Sequence, residues 1–268
     1  MFKRKTKNGK RIQMAIKLKT EKAIELYKSS GGTIGFEDSL RDVFDFVSKD
    51  QRITDKKHLA YLLATAKIES DYSLQRWEAD YLCGKQGVAY QDKPCQKALD
   101  YYRSTSGGKQ NYYNLGKDDK GLPYFGRGLI QLTGKSNYDY YGKKVGVNLV
   151  KNADKALDKK TSYDIAVEYL KEKRGGQYAQ DGKKRSTFDL VSDGNFSLAR
   201  KSVKGSSSGW EGVKSVYDKW LNILNNPQVK VKESKNGGGL GKKIGIATII
   251  LLIIGGGIYA YQKYKKNG

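Results

Sequence analysis

Apolar side chains recur at helical spacing in several parts of this chain, and no stretch alternates apolar and polar residues as a half-buried strand would. In the clearest case, Thr54 or Asp55 can cap a helix that begins near Lys56. Its apolar stripe comprises Leu59, Leu62, Leu63 and Ala66. A second convincing set comprises Val213, Val216, Tyr217, Trp220, Leu221 and Leu224. The chain is therefore predicted to be mainly α.

Weaker patterns predict further helices. We expect them from Thr20 to about Ser29, around residues 43–47, and over residues 145–157, 163–170 and 188–203. Residues 84–123 are rich in Gly, Asp, Lys and Tyr, and we expect a long loop region there. Binding residues often lie in such regions.

The apolar segment at residues 244–261 carries no charge. At about 1.5 Å per residue it spans roughly 27 Å, close to the apolar thickness of a bilayer. We predict a transmembrane helix there, after a flexible linker at 226–243 and before a basic tail at 262–268. Lysines flank both ends, so charge does not set the orientation. The globular domain is then 36–225, after a basic arm and short helix at 1–35.

Charge limits the classes of partner. The 51 Lys and Arg against 28 Asp and Glu give a net charge of +23, which favours nucleic acid, anionic lipid or acidic wall polymers. Residues 1–20 hold eight basic and no acidic residues. This arm either grips nucleic acid, a membrane surface or an acidic partner such as a capsid protein, or is a solvated tail. It lacks the apolar core of a secretory signal, so Sec-type export is not expected.

The two cysteines, Cys83 and Cys95, flank a predicted loop. Their spacing suits a disulfide that closes a short loop, and two free thiols fit it equally well. The only histidine is His58 and there is no second cysteine pair, which argues against a zinc site. No metal or cofactor is expected.

Two glutamates suggest acid–base chemistry. Glu69 continues the apolar stripe of the predicted helix at Lys56, and a carboxylate there is costly when charged, as suits a general acid. The alternative is that Glu69 turns to solvent at a frayed helix end. Glu78 follows Trp77 nine residues later. Paired carboxylates in different environments are the working groups of glycosidic bond hydrolysis.

The segment at residues 124–138 combines glycines, aliphatic residues and polar side chains. Gly126 and Gly128 flank Arg127, which suits a tight turn or a close approach of the backbone. Extended backbone would put Leu129, Gln131 and Thr133 on one face, whereas a helix would group Ile130, Thr133 and Asn137. Such a surface can orient a sugar or a water. The alternative is a core segment whose polar groups satisfy the backbone.

The order of these segments resembles glycoside hydrolase family 19, the chitinase-like enzymes. The resemblance rests on residues 60–69, on Trp77 with Glu78, and on residues 124–138. It extends to 148–154 and to a late Ala-Arg motif at 199–205, and in all covers roughly residues 36–225. Lys204 departs from the late motif, which commonly has a substrate-contacting Asn there.

The resemblance implies a mainly helical, lysozyme-like fold with two lobes and a cleft. It implies inverting hydrolysis of β-1,4 bonds next to N-acetylated sugars, with Glu69 as general acid and Glu78 as general base. Thr133 would help to hold the attacking water. Gln131 and Asn137 would hydrogen-bond the sugar. Tyr124 and Arg127 would belong to the substrate-binding cleft, either by shaping it or by ordering the surroundings of the acid.

Together these observations predict a membrane-anchored glycosidase that cuts bacterial cell-wall glycan, such as a phage enzyme for host-wall penetration or lysis. The expected location is the membrane of a phage particle or otherwise the host cell membrane. The alternative is a structural or glycan-adhesive virion protein that binds glycan on the same scaffold without cutting it.

Overall fold

The computed structural model describes residues 15–104, 115–178 and 182–231. Within these ranges nine α-helices dominate and β-structure is limited to isolated bridges, which confirms the mainly helical class. The helices are α1 (Thr20–Ser29), α2 (Glu37–Lys49), α3 (Lys56–Ser70), α4 (Gln96–Arg103), α5 (Lys135–Val145), α6 (Lys159–Lys171), α7 (Thr187–Ser192), α8 (Phe196–Lys204) and α9 (Trp210–Asn225).

Helix α3 is the central element. Asp55 caps it by accepting a hydrogen bond from the Lys57 amide, and every residue from 59 to 66 is buried. Helix α9 packs against α3. Trp220 of α9 stacks on Tyr27 with ring centroids 4.2 Å apart. Its indole N–H donates a hydrogen bond to the Tyr72 hydroxyl at 2.9 Å, so the one polar atom of this buried side chain has a partner.

Three local predictions were wrong. The expected loop at 84–123 contains α4, whose buried residues include Leu99 and Tyr102. The helix expected over 145–157 is instead the end of α5 followed by a short 3-10 helix, Ala153–Leu157. The helix expected over 188–203 is divided into α7 and α8, because Gly194 between them has a φ of +78° that helical backbone does not allow.

The described residues form two hydrophobic clusters. The larger cluster comprises buried residues of α1, α2, α3 and α5 to α9. The smaller cluster comprises Trp77, Ala79, Ala98, Leu99, Tyr102, Leu122, Phe125 and Leu157. The two lobes and the cleft that the resemblance implies stay predictions. The segment at 124–132 contributes to both clusters, since Phe125 belongs to the smaller one and Tyr124, Leu129, Ile130 and Leu132 to the larger.

The predicted membrane helix at 244–261 lies outside the described residues, as do residues 1–14 of the basic arm. Among the helices that the structure does describe, none is both long enough and apolar enough to span a bilayer. The domain limits and the transmembrane helix therefore stay predictions.

Candidate active site

The segment at 124–132 forms a tight turn rather than the strand or helix considered above. Arg127 and Leu132 exchange backbone hydrogen bonds of 3.2 and 3.0 Å around the turn. Arg127 also forms an antiparallel bridge with Trp77, so the turn is held beside the residue that precedes Glu78. Gly128 and Gln131 both have positive φ, at +79° and +56°. Glycine adopts this conformation readily and glutamine does not.

Glu78 is fixed to this turn through its backbone. Its amide donates to the Gly126 carbonyl at 2.7 Å, and its own carbonyl accepts a hydrogen bond from the Tyr102 hydroxyl at 2.6 Å. Tyr102 lies on α4 and stacks on Phe125 with centroids 4.5 Å apart. Glu78 is half-buried at the edge of the smaller cluster. Its position therefore depends on a helix that the sequence did not reveal.

Glu69 lies on the last turn of α3 and forms an ion pair with Arg200 of α8. The Arg200 side chain is 5% exposed and that of Glu69 is 19% exposed. The sequence argument placed Glu69 at the end of an apolar face, so this cation was missed. The late Ala-Arg motif contains Arg200, but the sequence does not show which carboxylate it meets.

The turn connects the two glutamates. Ser70, next to Glu69, donates its hydroxyl to the Leu129 carbonyl at 2.9 Å, and Glu78 is bonded to Gly126. Glu69 is thus carried beside the larger cluster and Glu78 beside the smaller, with one short segment fastened to both. The Glu78 bond joins two backbone groups, and the Ser70 bond joins a buried hydroxyl to a backbone carbonyl. Both glutamates are therefore attached to the same short segment.

Gly126 is required by the close approach of two side chains. A Cβ atom at this position would lie 2.9 Å from Oε2 of Glu78 and 2.9 Å from Oε1 of Gln131. The two oxygens are therefore within twice that distance of each other. The sequence signal was the glycine itself, which was interpreted there as suited to a tight turn or a close approach of the backbone. The structure shows that it leaves room for the Glu78 carboxylate.

The predicted polar residues of the turn have distinct bonding. Gln131 uses both protons of its side-chain amide, donating to the carbonyls of Arg76 at 3.1 Å and Gly128 at 2.8 Å. Thr133 donates its hydroxyl to the Gln131 carbonyl at 2.9 Å. Asn137 is exposed and donates to the Thr133 carbonyl at 2.8 Å. Gln131 Oε1 and the Thr133 lone pairs therefore remain as acceptors.

Tyr124 and Arg127, which were predicted to belong to the substrate-binding cleft, are both buried. Tyr124 is 1% exposed and donates its hydroxyl to the Val150 carbonyl at 2.8 Å. Arg127 is also 1% exposed, with ion pairs of 3.2 Å to Asp118 and to Asp154. Their burial is compatible with the role that the resemblance implies, which is to shape the cleft or to order the surroundings of the acid, and this role stays a prediction.

The surroundings of Arg127 form a buried polar network. Its guanidinium lies 3.7 Å from the centre of the Phe125 ring and donates to the hydroxyls of Tyr138 and Tyr90 at 3.0 and 3.1 Å. Burial alone would lower the pKa of Arg127, but Tyr138, Tyr90 and Asp154 raise it. Burial raises the pKa of Tyr138 to about 12. Burial also raises the pKa of Asp118, against the opposing effect of its hydrogen bonds and of Arg127.

Cys83 and Cys95 form a disulfide in the structure. Cys83 ends a short 3-10 helix, Asp80–Cys83, and Cys95 directly precedes α4. Asp80 is buried and accepts a hydrogen bond from the Gly87 amide at 2.7 Å, and its burial raises its pKa. The disulfide and this bond close the loop that leads from Glu78 to α4.

Two cavities lie apart from the glutamates. One, of about 260 Å³, lies between α5 and residues 146–150. The other, of about 270 Å³, is lined by Tyr90, Lys120 and Asp154, among others. Neither is lined by Glu69 or Glu78.

Comparison with known proteins identifies relatives of the chain. An acidic 27 kDa endochitinase of Solanum lycopersicum is 41% identical over 72 residues, and an acidic endochitinase of Petunia hybrida is 43% identical over 72 residues. Each match covers 26% of this chain and 26% of the plant protein, so the similarity spans about a quarter of these relatives.

Solved structures are also similar. Chitinase C from Streptomyces griseus HUT6037 is 16% identical with a TM-score of 0.45, covering 79% of this chain and 94% of that one. A bacterial family 19 chitinase is 18% identical with a TM-score of 0.40, covering 77% and 84%.

The family model for class I chitinases, glycoside hydrolase family 19, matches residues 45–180. This range is half of the chain and contains Glu69, Glu78 and the turn at 124–132. The chain therefore belongs to the class I chitinase family, a family of glycoside hydrolases.

Proposed function

We propose that this protein hydrolyses β-1,4 bonds in the glycan of bacterial peptidoglycan, with Glu69 as general acid and Glu78 as general base. The observation that carries the proposal is the attachment of both glutamates to one turn, Glu69 through Ser70 and Glu78 through Gly126. Two carboxylates held on opposite hydrophobic clusters suit attack on a bond that lies between them.

The proposed reaction begins with proton donation. Glu69 protonates the oxygen of the leaving sugar, and Arg200 holds its carboxyl group in place and stabilises the carboxylate that results. A water on the opposite face of the sugar donates one proton to Glu78, which acts as base. Attack from that face inverts the configuration of the sugar carbon.

Thr133 and Gln131 have supporting roles in this proposal. Because the Thr133 hydroxyl donates to the Gln131 carbonyl, its lone pairs are oriented to accept the second proton of the attacking water. Gln131 Oε1 can accept a hydrogen bond from the N–H of an N-acetyl group, since its own amide protons are engaged. Exposed Asn137 can contact a sugar hydroxyl.

Peptidoglycan is favoured over chitin by charge. The chain has a net charge of +23, and peptidoglycan carries carboxylates on its peptides whereas chitin is neutral. Attraction to an anionic substrate should weaken as salt is added.

Isosteric substitution tests the proposal. Glu69→Gln and Glu78→Gln should each lower kcat on purified peptidoglycan by about 10²- to 10⁴-fold, because each removes one proton transfer. Glu211→Gln, at an exposed glutamate on the first turn of α9, is the matched control and should keep full activity. Release of reducing ends gives the rate. Mass analysis of the products separates hydrolysis from a transglycosylase reaction, which leaves an anhydro sugar.

Two results would contradict the assignment. If both variants cleave as fast as the unmodified protein, Glu69 and Glu78 are not the catalytic pair. If the unmodified protein binds several wall types and cleaves none of them, the adhesive virion function is the better explanation.

We further propose that residues 244–261 anchor the enzyme in a membrane, either in a phage particle or in the host, with capsid or nucleic acid as further partners of the basic arm 1–20. The full chain should float with lipid vesicles in a density gradient. A chain that ends after Val231 keeps the Leu18–Lys230 bridge and should stay in the soluble fraction. Equal flotation of both chains would contradict the anchor.

A further inference from the structure

One face of α8 carries Arg200, which contacts the proposed general acid Glu69. The last turn of the helix extends this face toward solvent. Arg200 and Lys204 are four residues apart on this helix, so they lie on the same face with about 5–6 Å between their Cβ atoms. Arg200 is buried against Glu69, whereas Lys204 is exposed. A lysine ammonium therefore lies one helical turn from the residue that holds the general acid.

A second basic segment packs against this turn. Arg174 and Arg185 form a two-bond antiparallel bridge with N···O distances of 2.9 and 3.0 Å. The Arg174 guanidinium lies 4.4 Å from the centre of the Tyr169 ring, and the Tyr169 hydroxyl donates to the Val203 carbonyl at 3.2 Å. These contacts hold the bridge against the end of α8.

Lysines occupy both sides of this junction; Lys183, Lys184 and Lys204 are exposed and Lys201 is half-buried. Lys183 and Lys184 lie on the bridged segment, and the Lys184 side chain runs beside Gly175. Lys201 and Lys204 lie on α8, and the Lys201 carbonyl accepts a hydrogen bond of 3.5 Å from the Tyr178 hydroxyl. We call Lys183, Lys184, Lys201 and Lys204 the basic edge.

The basic edge is not neutralised by acidic neighbours among the described residues. None of its four lysines forms an ion pair with a described carboxylate. The nearby carboxylates have other partners, since Glu172 pairs with Lys144 at 3.3 Å and Asp193 with Arg185 at 3.6 Å. Within the described part of the chain, the four positive charges are therefore available to a ligand.

We infer that the basic edge binds carboxylate groups of the peptides attached to the glycan, beside the sugar that receives the proton from Glu69. This inference rests on the proposed function and deepens it, because it identifies a feature of the substrate that a neutral glycan lacks. Ion pairs between surface lysines and carboxylates are weak, so the product dissociates readily. The edge therefore contributes selectivity for anionic glycan without slowing product release.

The test compares the full-length chain with a triple variant, Lys183→Gln, Lys184→Gln and Lys204→Gln. The matched control is Lys19→Gln, Lys57→Gln and Lys230→Gln, which removes the same charge from exposed lysines near the start of α1, the start of α3 and the end of α9. The substrates are peptidoglycan freed of teichoic acid, the same material with its carboxyl groups amidated, and a neutral chitin hexasaccharide.

For the unmodified chain, amidation should raise KM by about 3- to 10-fold at low salt, and added salt should reduce this difference. The triple variant should show a raised KM on unmodified peptidoglycan, a clearly smaller effect of amidation than the unmodified chain, and unchanged kinetics on the hexasaccharide. The control variant should behave as the unmodified chain. An equal loss in both variants would mean that only overall charge matters, and a loss on the hexasaccharide would mean a structural defect. Either result overturns the inference.

A binding measurement keeps this test independent of catalysis. Co-sedimentation of the chain carrying Glu69→Gln and Glu78→Gln with native and amidated peptidoglycan reports on the basic edge even if the protein proves not to be a glycosidase. Equal binding to both materials overturns the inference. Tight binding only to walls that retain teichoic acid would do so too, since it would assign the edge to polymer phosphates.

Discussion

Replacement of Gly126 by alanine should reduce catalysis while leaving the fold intact. The added Cβ would lie 2.9 Å from Glu78 Oε2 and from Gln131 Oε1, whereas ordinary contact begins at 3.4 Å. Both oxygens must therefore move by about 0.5 Å. Because both are far ends of flexible side chains, they move by small rotations. The Gln131 Cβ, which would lie 3.2 Å away, must also shift by about 0.2 Å, and the total cost is about 1 kcal/mol.

The expected loss of activity follows from this displacement. A misplacement of about 1 Å at a reacting group lowers rates by roughly 10²-fold, so about 0.5 Å at the proposed base should lower kcat by about 10-fold. This factor corresponds to about 1.4 kcal/mol of barrier. The assay is the release of reducing ends from peptidoglycan, together with the unfolding temperature, which should stay within a few degrees of that of the unmodified protein.

Two other glycines provide controls. Gly212 lies in α9 and a Cβ there meets nothing within 4 Å, so Gly212→Ala should keep full activity and add about 0.5–1 kcal/mol of stability. At Gly128, φ is +79° and a Cβ would lie 2.8 Å from the Ala156 carbonyl, so Gly128→Ala should lower the unfolding temperature. Full activity of Gly126→Ala at an unchanged unfolding temperature would refute the role of Glu78. A thermal loss equal to that of Gly128→Ala would refute the steric argument.

Two further predictions concern stability. Arg127→Met preserves volume but leaves Asp118 and Asp154 without their buried cation, so the free energy of unfolding in urea should fall by about 3–5 kcal/mol, and a change below about 1 kcal/mol would contradict this. Burial lowers the pKa of His58, whose ring stacks on Phe188 with centroids 4.5 Å apart. The folded state thus favours the neutral ring, so the stability that His58 contributes is present above its unfolded pKa of about 6.5 and is lost as the pH falls toward the lower folded value. Unfolding of the unmodified protein and of His58→Gln at pH 7.5 and pH 5 should show the larger decrease for the unmodified protein, and equal decreases would contradict the shift.

The sequence predicted those helices whose cap and apolar stripe both lie within one stretch of the chain. Helix α3 begins at Lys56 behind the Asp55 cap, as the sequence indicated, because a cap and an apolar stripe are both contained in one stretch of chain. Helix α4 was missed because its eight residues carry only a short apolar set, and its position depends on contacts such as that of Tyr102 with Phe125. A short helix is stabilised mainly by tertiary packing, which composition does not show.

The partners of the candidate acid could not be predicted in the same way. Glu69 and Arg200 are 131 residues apart in the sequence, and no periodicity links residues at such a separation. The sequence placed Glu69 on an apolar face, which is correct for its helix. It could not show that α8 brings a guanidinium to the end of that face.

Gln131 explains why neither backbone pattern considered for the turn was right. Extended and helical backbone both require negative φ, whereas Gln131 has a φ of +56°, a conformation that costs a residue with a side chain of order 1 kcal/mol. Two hydrogen bonds from its amide, to the carbonyls of Arg76 and Gly128, offset this cost. The same conformation directs the Gln131 carbonyl to the Thr133 hydroxyl and leaves Oε1 beside Glu78 Oε2. The strained residue thus holds the Thr133 hydroxyl through its carbonyl and keeps its own Oε1 near the proposed base, which is the geometry that the proposed orientation of water and sugar requires.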